Sequence, residues 1–282
     1  MPSDSRPTVL ITGAGSGLGE AMASSFARKG YDVAVCDIDL ARAENVLENI
    51  IGTAPGSFSY CMDVRSEADW DDVHQRVLSE WGRLNILVNN AGVAAAGNCE
   101  DTSLEDWRWV IDINQMGVIL GCHRFITLLR KTAATNSGHC HLVNVASFAG
   151  MAAMPGMSAY GVAKAAVVAL SEQLRAELYD SGIGVSVVCP AFVKTRLLET
   201  FRANDASHRA RVENWMKRSD VTAEDVASQT LAAISSGRFL VLTHSLTKRA
   251  WFIKRLMPER YFRRMIKMNR TRKPENEQTV SS

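Results

Sequence analysis

Short runs of β-branched and apolar residues alternate along the chain with longer stretches in which apolar side chains recur at three- and four-residue spacing. The short runs predict strands at Thr8–Thr12, Asp32–Cys36, Ser57–Cys61, Ile86–Asn89, His141–Val145, Val185–Cys189 and Phe239–Val241. The longer stretches predict helices over 18–29, 40–51, 67–81, 104–132, 160–180, 195–217 and 223–236. Strands separated by helices pair in parallel, because each crossover carries the chain back to the edge it left. Right-handed crossovers then give an α/β fold, a doubly wound parallel sheet of about seven strands with helices on both faces. Ligands in such a sheet bind beyond the carboxyl ends of the strands, where the strand order reverses.

After Val241 the pattern changes. From Lys248 to Lys273 there are eleven Lys or Arg against one acid, Glu259, a net +10 in a chain whose total is +2, which leaves −8 for the rest. Trp251, Phe252, Ile253 and Leu256, then Tyr261, Phe262, Met265 and Ile266, form an apolar stripe interrupted at Pro258. This predicts two short amphipathic helices with a basic face. That face either packs on the domain or a neighbouring subunit, with a cover over a substrate mouth as one form, or lies on an anionic membrane surface. Nucleic acid is not expected as a partner. The organisation expected is a domain over 1–243, a basic helical extension over 244–273 and a disordered tail over 274–282.

Composition narrows the class. With 282 residues, 46% hydrophobic and 22% charged, the chain holds one sizeable globular domain. No apolar run approaches the roughly 18 residues needed to cross a bilayer, and the opening MPSDSRP does not resemble a signal peptide. A cytoplasmic location is expected, with peripheral membrane contact through residues 248–273 as the alternative. Six cysteines without CxxC spacing read as buried, reduced thiols. No metal site is expected: in the His139–Cys140–His141 run a strand puts the two histidines on one face and the thiol on the other.

The chemistry enters with SAYGVAKAA, where Tyr160 and Lys164 stand four residues apart and so share one helical face. An ammonium near a phenol oxygen favours phenolate, and a tyrosine tuned in that way is a general acid/base near neutrality. Ser147, in NVASFAG, can donate a hydrogen bond to a substrate carbonyl oxygen if a strand end brings it alongside. Between the first strand and first helix runs TGAGSGLG, from Thr12 to Gly19, including Ser16 and Leu18. Its Gly13, Gly17 and Gly19 let the backbone turn sharply and approach a pyrophosphate, which the helix N-terminus attracts. Asp37 follows the second strand, where a carboxylate accepts from ribose hydroxyls and repels a 2′-phosphate. No Lys or Arg lies between Gly13 and Gly19, so NAD(H) is expected over NADP(H), with Arg42 the one residue able to offset the aspartate. Asp39 is the better candidate to cap the second helix.

Together these residues resemble the short-chain dehydrogenase/reductase family over about residues 8–242. The matching elements are TGAGSGLG at 12–19, DV at 63–64, NNAG at 89–92, Asn114 in INQMG, Ser147, YGVAK at 160–164 and PAFVKT at 190–195. The resemblance implies a Rossmann-type fold and an NAD(P)(H)-dependent oxidoreductase that interconverts a secondary alcohol and a ketone. It implies a catalytic set of Asn114, Ser147, Tyr160 and Lys164. In that set Tyr160 exchanges the proton, while Asn114 kinks its helix and holds, through its main-chain carbonyl, a water leading to Lys164. Lys164 would also bond the nicotinamide ribose. Asp63 and Val64 would line the adenine site and Ile38 would pack on the ring. Asn90, Ala91 and Gly92 would wall the adenine ribose and nicotinamide end, with Asn89 tying strands together. In the segment opened by Pro190, Val193 and Thr195 would hold the carboxamide. Ala191 stands where the family usually has glycine, which implies a slight backbone shift. Relatives usually form homodimers or homotetramers through helices that here fall near 104–132 and 160–180.

The expected substrate wall is Phe148, Met151, Met154, Pro155, Met157 and Phe192, with the segment after Thr195. Methionines make an adaptable apolar site, which favours a lipophilic ketone or alcohol, steroid-like or acyl-chain, over a sugar. Two other readings are a nucleotide-binding regulator that has lost catalysis and a membrane-surface protein with this fold. The intact Asn114, Ser147, Tyr160 and Lys164 argue against the first.

Overall fold

The computed structural model describes residues 6–135, 138–203 and 205–270. In chain order it opens with β1 (Thr8–Thr12), α1 (Gly17–Arg28), β2 (Asp32–Asp37), α2 (Leu40–Ile50), β3 (Phe58–Cys61), α3 (Glu67–Trp81) and β4 (Ile86–Asn89). There follow β5 (Ala95–Ala96), α4 (Leu104–Ile111), α5 (Gly117–Ala134), β6 (Cys140–Val145), α6 (Ala149–Ala152), α7 (Ser158–Glu177) and β7 (Ile183–Cys189). Last come β8 (Arg202–Ala203), α8 (Ala206–Lys217), α9 (Ala223–Ser236), β9 (Leu240–Leu242), α10 (Ser245–Leu256) and α11 (Pro258–Arg270).

Seven strands pair in parallel in the order β3-β2-β1-β4-β6-β7-β9. The chain winds outward from β1 to β3, returns to β4 beside β1, and then winds the other way, so the order reverses between β1 and β4. Strand alternation sends successive side chains to opposite layers. Leu10 faces a core with Trp70, Phe125 and Val167 from α3, α5 and α7. Its neighbours Val9 and Ile11 face Met22, Phe26, Val46 and Val226 from α1, α2 and α9. Covering on both faces explains why the central strands are apolar at consecutive positions.

Local signals set several helix ends. Asp39 caps α2 by accepting from the Arg42 N–H, and Ser66 caps α3 in the same way from Asp69. Thr222 and Asp225 close a reciprocal capping box on α9.

Three expectations need correction. The continuous helix over 104–132 is two helices joined by a π-helical turn at Asp112–Met116, which holds Asn114, the residue at which a kink was expected from the resemblance. The helix over 195–217 is a 3-10 turn at Arg196–Leu198, then β8, which pairs with β5, then α8. Of the cysteines, Cys61 and Cys99 are exposed. Cys61 ends the edge strand β3, which lacks a neighbour on one side, and Cys99 sits in the loop after β5. The helices α10 and α11 flank the break at Pro258, whereas residues 271–273 of the extension and the expected tail over 274–282 lie outside the described residues. No helix among the described residues is long and apolar enough to cross a membrane.

Trp70 is buried, donates its indole N–H to the Val64 carbonyl at 2.9 Å and meets Phe125 edge-on at 6.1 Å. Trp70→Ala is expected to lower unfolding free energy by about 3–5 kcal/mol in urea denaturation, through the cavity and the orphaned carbonyl. A loss under about 1 kcal/mol would show that α3 is not a principal contributor to this core.

Candidate active site

One cleft of about 700 Å³ opens at the carboxyl ends of the strands, across the point where their order reverses. A polar clasp holds its floor. The Thr12 hydroxyl accepts from the N–H groups of Asn90 and Ala91 at 3.0 and 3.1 Å, while the Asn90 amide donates to the carbonyls of Thr12 and Gly13 at 2.9 and 3.0 Å. Gly13 has φ +61°, and a side chain there would press into Ala91. At α1 the N-cap Ser16 makes no side-chain capping bond, so the first N–H groups of the helix remain available to an anion.

At the end of the cleft formed by β2 and β3, Asp37 accepts from the Gly15 N–H at 2.8 Å and the Asp39 N–H at 3.0 Å. Ile38 is 65% exposed beside it, an apolar side chain suited to cover by a flat ring. Arg42, Arg65 and Arg196, which line the cleft, are each paired, Arg196 with Glu199 at 3.6 Å. Arg42 meets Asp39 at 3.1 Å and Glu199 at 3.0 Å, and Arg65 grips Asp63 at 2.6 Å, which holds the Asp63 carboxyl below its usual range. Val64 lines the same end. A dinucleotide fits this half: an uncapped helix N-terminus for its phosphates, a carboxylate at the ribose position and an exposed Ile38 for its base.

Asn114 is fully buried in the π-helical turn, where its amide donates to the Val93 carbonyl at 2.8 Å and accepts from the Val93 N–H at 3.1 Å. A side chain at Gly92 would run into Asn114 Oδ1 and the Lys164 ammonium, so these three groups are contiguous. Lys164 donates to the Val145 carbonyl at 3.0 Å, and its nitrogen lies 6.0 Å from the Tyr160 ring centroid. Ser147 accepts from the Ala149 N–H at 3.1 Å and donates to the Pro190 carbonyl at 3.4 Å, with its hydroxyl close enough to the Tyr160 phenol to influence its titration. The electrostatics differ from those expected from the four-residue spacing. Burial raises the Tyr160 phenol above its usual value, opposed by the nearby Ser147 hydroxyl, and burial brings Lys164 down to about 8. The lysine meets a carbonyl and the ring, so burial outweighs charge proximity.

Past Tyr160 the cleft becomes apolar. Phe148, Met154, Met157 and Phe192 line it, as the sequence predicts, but Met151 packs against the main core and Pro155 is exposed away from the lining. Trp109, Phe201, Val212 and Met216 also line it. Arg202 brings their segment over the cleft by pairing with Asp106 at 2.8 Å and stacking 4.1 Å above Trp109. Its residue type gave a weak signal, but its partners are remote in sequence. The helix α6, between Ser147 and Met154, ends at Ala153 with φ 50°. Its last carbonyls are capped from the C-terminal helices: Lys254 donates to Met151 O at 2.6 Å and Tyr261 to Ala152 O at 2.8 Å.

Of the residues proposed for the cofactor, Gly13, Ser16, Gly17, Leu18, Asn90, Ala91, Gly92, Pro190, Val193 and Thr195 line the cleft. Gly19 does not. A side chain on Gly19 would strike the Gly13 carbonyl and the Asn90 amide, so it serves the packing of α1 against the loop. Ala191 also lines the cleft, and Ala153 is the one non-glycine residue with positive φ among those described, so Ala191 stays in ordinary backbone space.

The sequence model of the family described as short chain dehydrogenase matches residues 7–206. The probable oxidoreductase EphD of Mycobacterium tuberculosis is 36% identical over 192 residues, which are 68% of this chain and 32% of that protein. The chain thus spans about a third of that relative's length. Cyclohexanol dehydrogenase of an Acinetobacter species is 33% identical over 193 residues, 68% of this chain and 75% of that protein. The crystal structure of a short chain dehydrogenase/reductase from Burkholderia phymatum in complex with NAD has a TM-score of 0.84 at 29% identity, covering 92% of this chain and 96% of that chain.

The lowered Lys164 value has a testable sign. Its folded value of about 8 lies below the ordinary 10.5, so between the two the unfolded chain binds the extra proton and stability rises with pH. The cost of burying the ammonium is full below pH 8 and relieved toward 10.5. Buried thiols and phenols titrate oppositely, so the measurement is a difference. Wild-type stability minus that of Lys164→Met, from urea denaturation, is expected to climb between pH 8 and 10.5, and a flat difference would contradict the burial of a charged lysine.

Proposed function

The chain belongs to the short-chain dehydrogenase/reductase family, and we propose that it is an oxidoreductase that interconverts a lipophilic secondary alcohol and the matching ketone, with Tyr160 as the proton donor and acceptor. The observation that carries this reading is the position of Tyr160, buried beside Ser147 where the polar half of one cleft meets an apolar half.

Bound, a nicotinamide dinucleotide supplies or accepts the hydride. The chain's own groups handle the oxygen. Burial keeps the Tyr160 phenol protonated at neutral pH, so in reduction it donates its proton to the developing alkoxide while the Ser147 hydroxyl hydrogen-bonds the same oxygen. Lys164, held at Val145 with its nitrogen 6.0 Å from the Tyr160 ring centroid, stabilises the phenolate that remains. In the bound state it would also meet the nicotinamide ribose, and the backbone at Asn114 would hold the water that returns the proton. In oxidation the same steps run backward.

Two features favour NAD(H) over NADP(H). Asp37 places a carboxylate at the end of β2, and Arg42 and Arg65 are each neutralised by carboxylate partners. The apolar substrate half, with Met154, Met157, Phe192, Phe201 and Met216, supports a lipophilic substrate, as does the similarity to a cyclohexanol dehydrogenase. A homodimer or homotetramer built on α4–α5 and α7 is part of the same proposal.

Turnover of a lipophilic cyclic ketone with NADH is the direct test. Tyr160→Phe is expected to lower kcat by about 10²–10⁴-fold while the NADH Kd moves little; retention of half the wild-type rate would remove Tyr160 from its role. Fluorescence titration is expected to show tighter binding of NADH than of NADPH. Asp37→Ser should narrow that preference by about tenfold, since it removes one close negative charge from the site of a 2′-phosphate. Equal binding of both cofactors by the wild type would overturn the assignment to Asp37.

A further inference from the structure

We propose that the outward face of α10 and α11 is a docking surface for a lipid bilayer rich in anionic headgroups. This rests on the surface alone and stands whether or not the proposed reaction is correct.

The helical pair is fixed to the domain by one face only. Thr247 and Tyr261 are buried, Trp251 packs on the main core, and Lys254 and Tyr261 bond the carbonyls that end α6. The opposite face keeps large apolar side chains in the open: Leu246 at 76% exposure, Phe252 at 57%, Leu256 at 73% and Ile266 at 52%. Lys248, Arg249, Arg255, Arg263, Arg264 and Lys267 are exposed on the same two helices. Between residues 248 and 270 there are nine Lys or Arg and one acid, Glu259, a net +8, so the rest of the +2 chain is net −6. A helix that lies in a bilayer interface needs this combination, an apolar face to sink below the headgroups and a cationic rim to meet anionic lipid.

Charge decides among the occupants. A two-fold contact between copies sets the same patch against itself and brings like charges together. A nucleic acid would satisfy the cations and leave Leu246, Phe252 and Leu256 unburied. An anionic bilayer satisfies both. Docking would also fasten the membrane to the segment between Ser147 and Met154, through the two bonds to α6.

The test is co-sedimentation of the full chain with vesicles of equal phosphatidylcholine and phosphatidylglycerol, against vesicles of phosphatidylcholine alone. Binding to the anionic vesicles is expected at low salt and should weaken about tenfold or more in 0.5 M salt, roughly where screening shortens charge interactions to a few ångströms. The double variant Leu246→Glu, Leu256→Glu should lose at least about tenfold in vesicle partitioning with its circular dichroism melting curve unchanged, because both side chains are largely exposed. No binding by the wild type, or equal binding to neutral vesicles, overturns the proposal. Failure to sediment combined with a smaller assembly for the double variant in sedimentation velocity would assign the face to contact between copies. Retention of duplex DNA without vesicle binding would assign it to nucleic acid. Either result overturns the bilayer.

Discussion

Everything in the cleft depends on one junction, where β1 and β4 lie side by side and the chain leaves them in opposite directions. A sheet that reverses its winding must leave a gap at that point, and the backbone groups bordering it lose their strand partners. Thr12 and Asn90 satisfy those groups from both sides with four hydrogen bonds. An unmade bond at such a place costs about 1–3 kcal/mol when buried, so the clasp fixes the floor of the site as well as joining two strands. The glycine loop, the wall at Ala91 and Gly92 and the turn that carries Asn114 are all positioned from it.

Burial governs the next level. Tyr160 and Lys164 stand in a region where either charge is costly, and the protein offers them a serine hydroxyl and a backbone carbonyl in place of water. Their spacing puts them on one face of α7, but the depth of that face sets their protonation. At the other end of the cleft, arginines and carboxylates pair off with one another, which satisfies their charges within the protein.

How much of this was legible in the sequence follows from which forces were local. Strands covered on both faces announce themselves as apolar runs, and β1 and β4 lie within the predicted bounds. Asp39 acts within a few residues, and its capping role was readable as well. The break at Asp112–Met116 was not readable from periodicity, because the apolar pattern runs through it and the cause is a bond from Asn114 to Val93, on another segment. The 195–217 segment misled for the same reason: its path depends on Arg202 reaching Asp106 and Trp109. Met151 and Met154 are chemically equivalent in sequence. Only the left-handed turn at Ala153 sends one into the core and leaves the other at the cleft.

The bonds from Lys254 and Tyr261 to α6 span 103 and 109 positions. Their consequence lies in the order of biosynthesis. A ribosome adds roughly 5–20 residues per second, so the loop holding Ser147 is made about 5–20 seconds before the residues that cap it. Until then the short helix next to Ser147 lacks partners for its terminal carbonyls. The nucleotide half of the sheet can form while the chain is still growing, whereas the half that meets the substrate is completed last. The nascent protein therefore acquires a place for its cofactor before it has a finished place for its substrate.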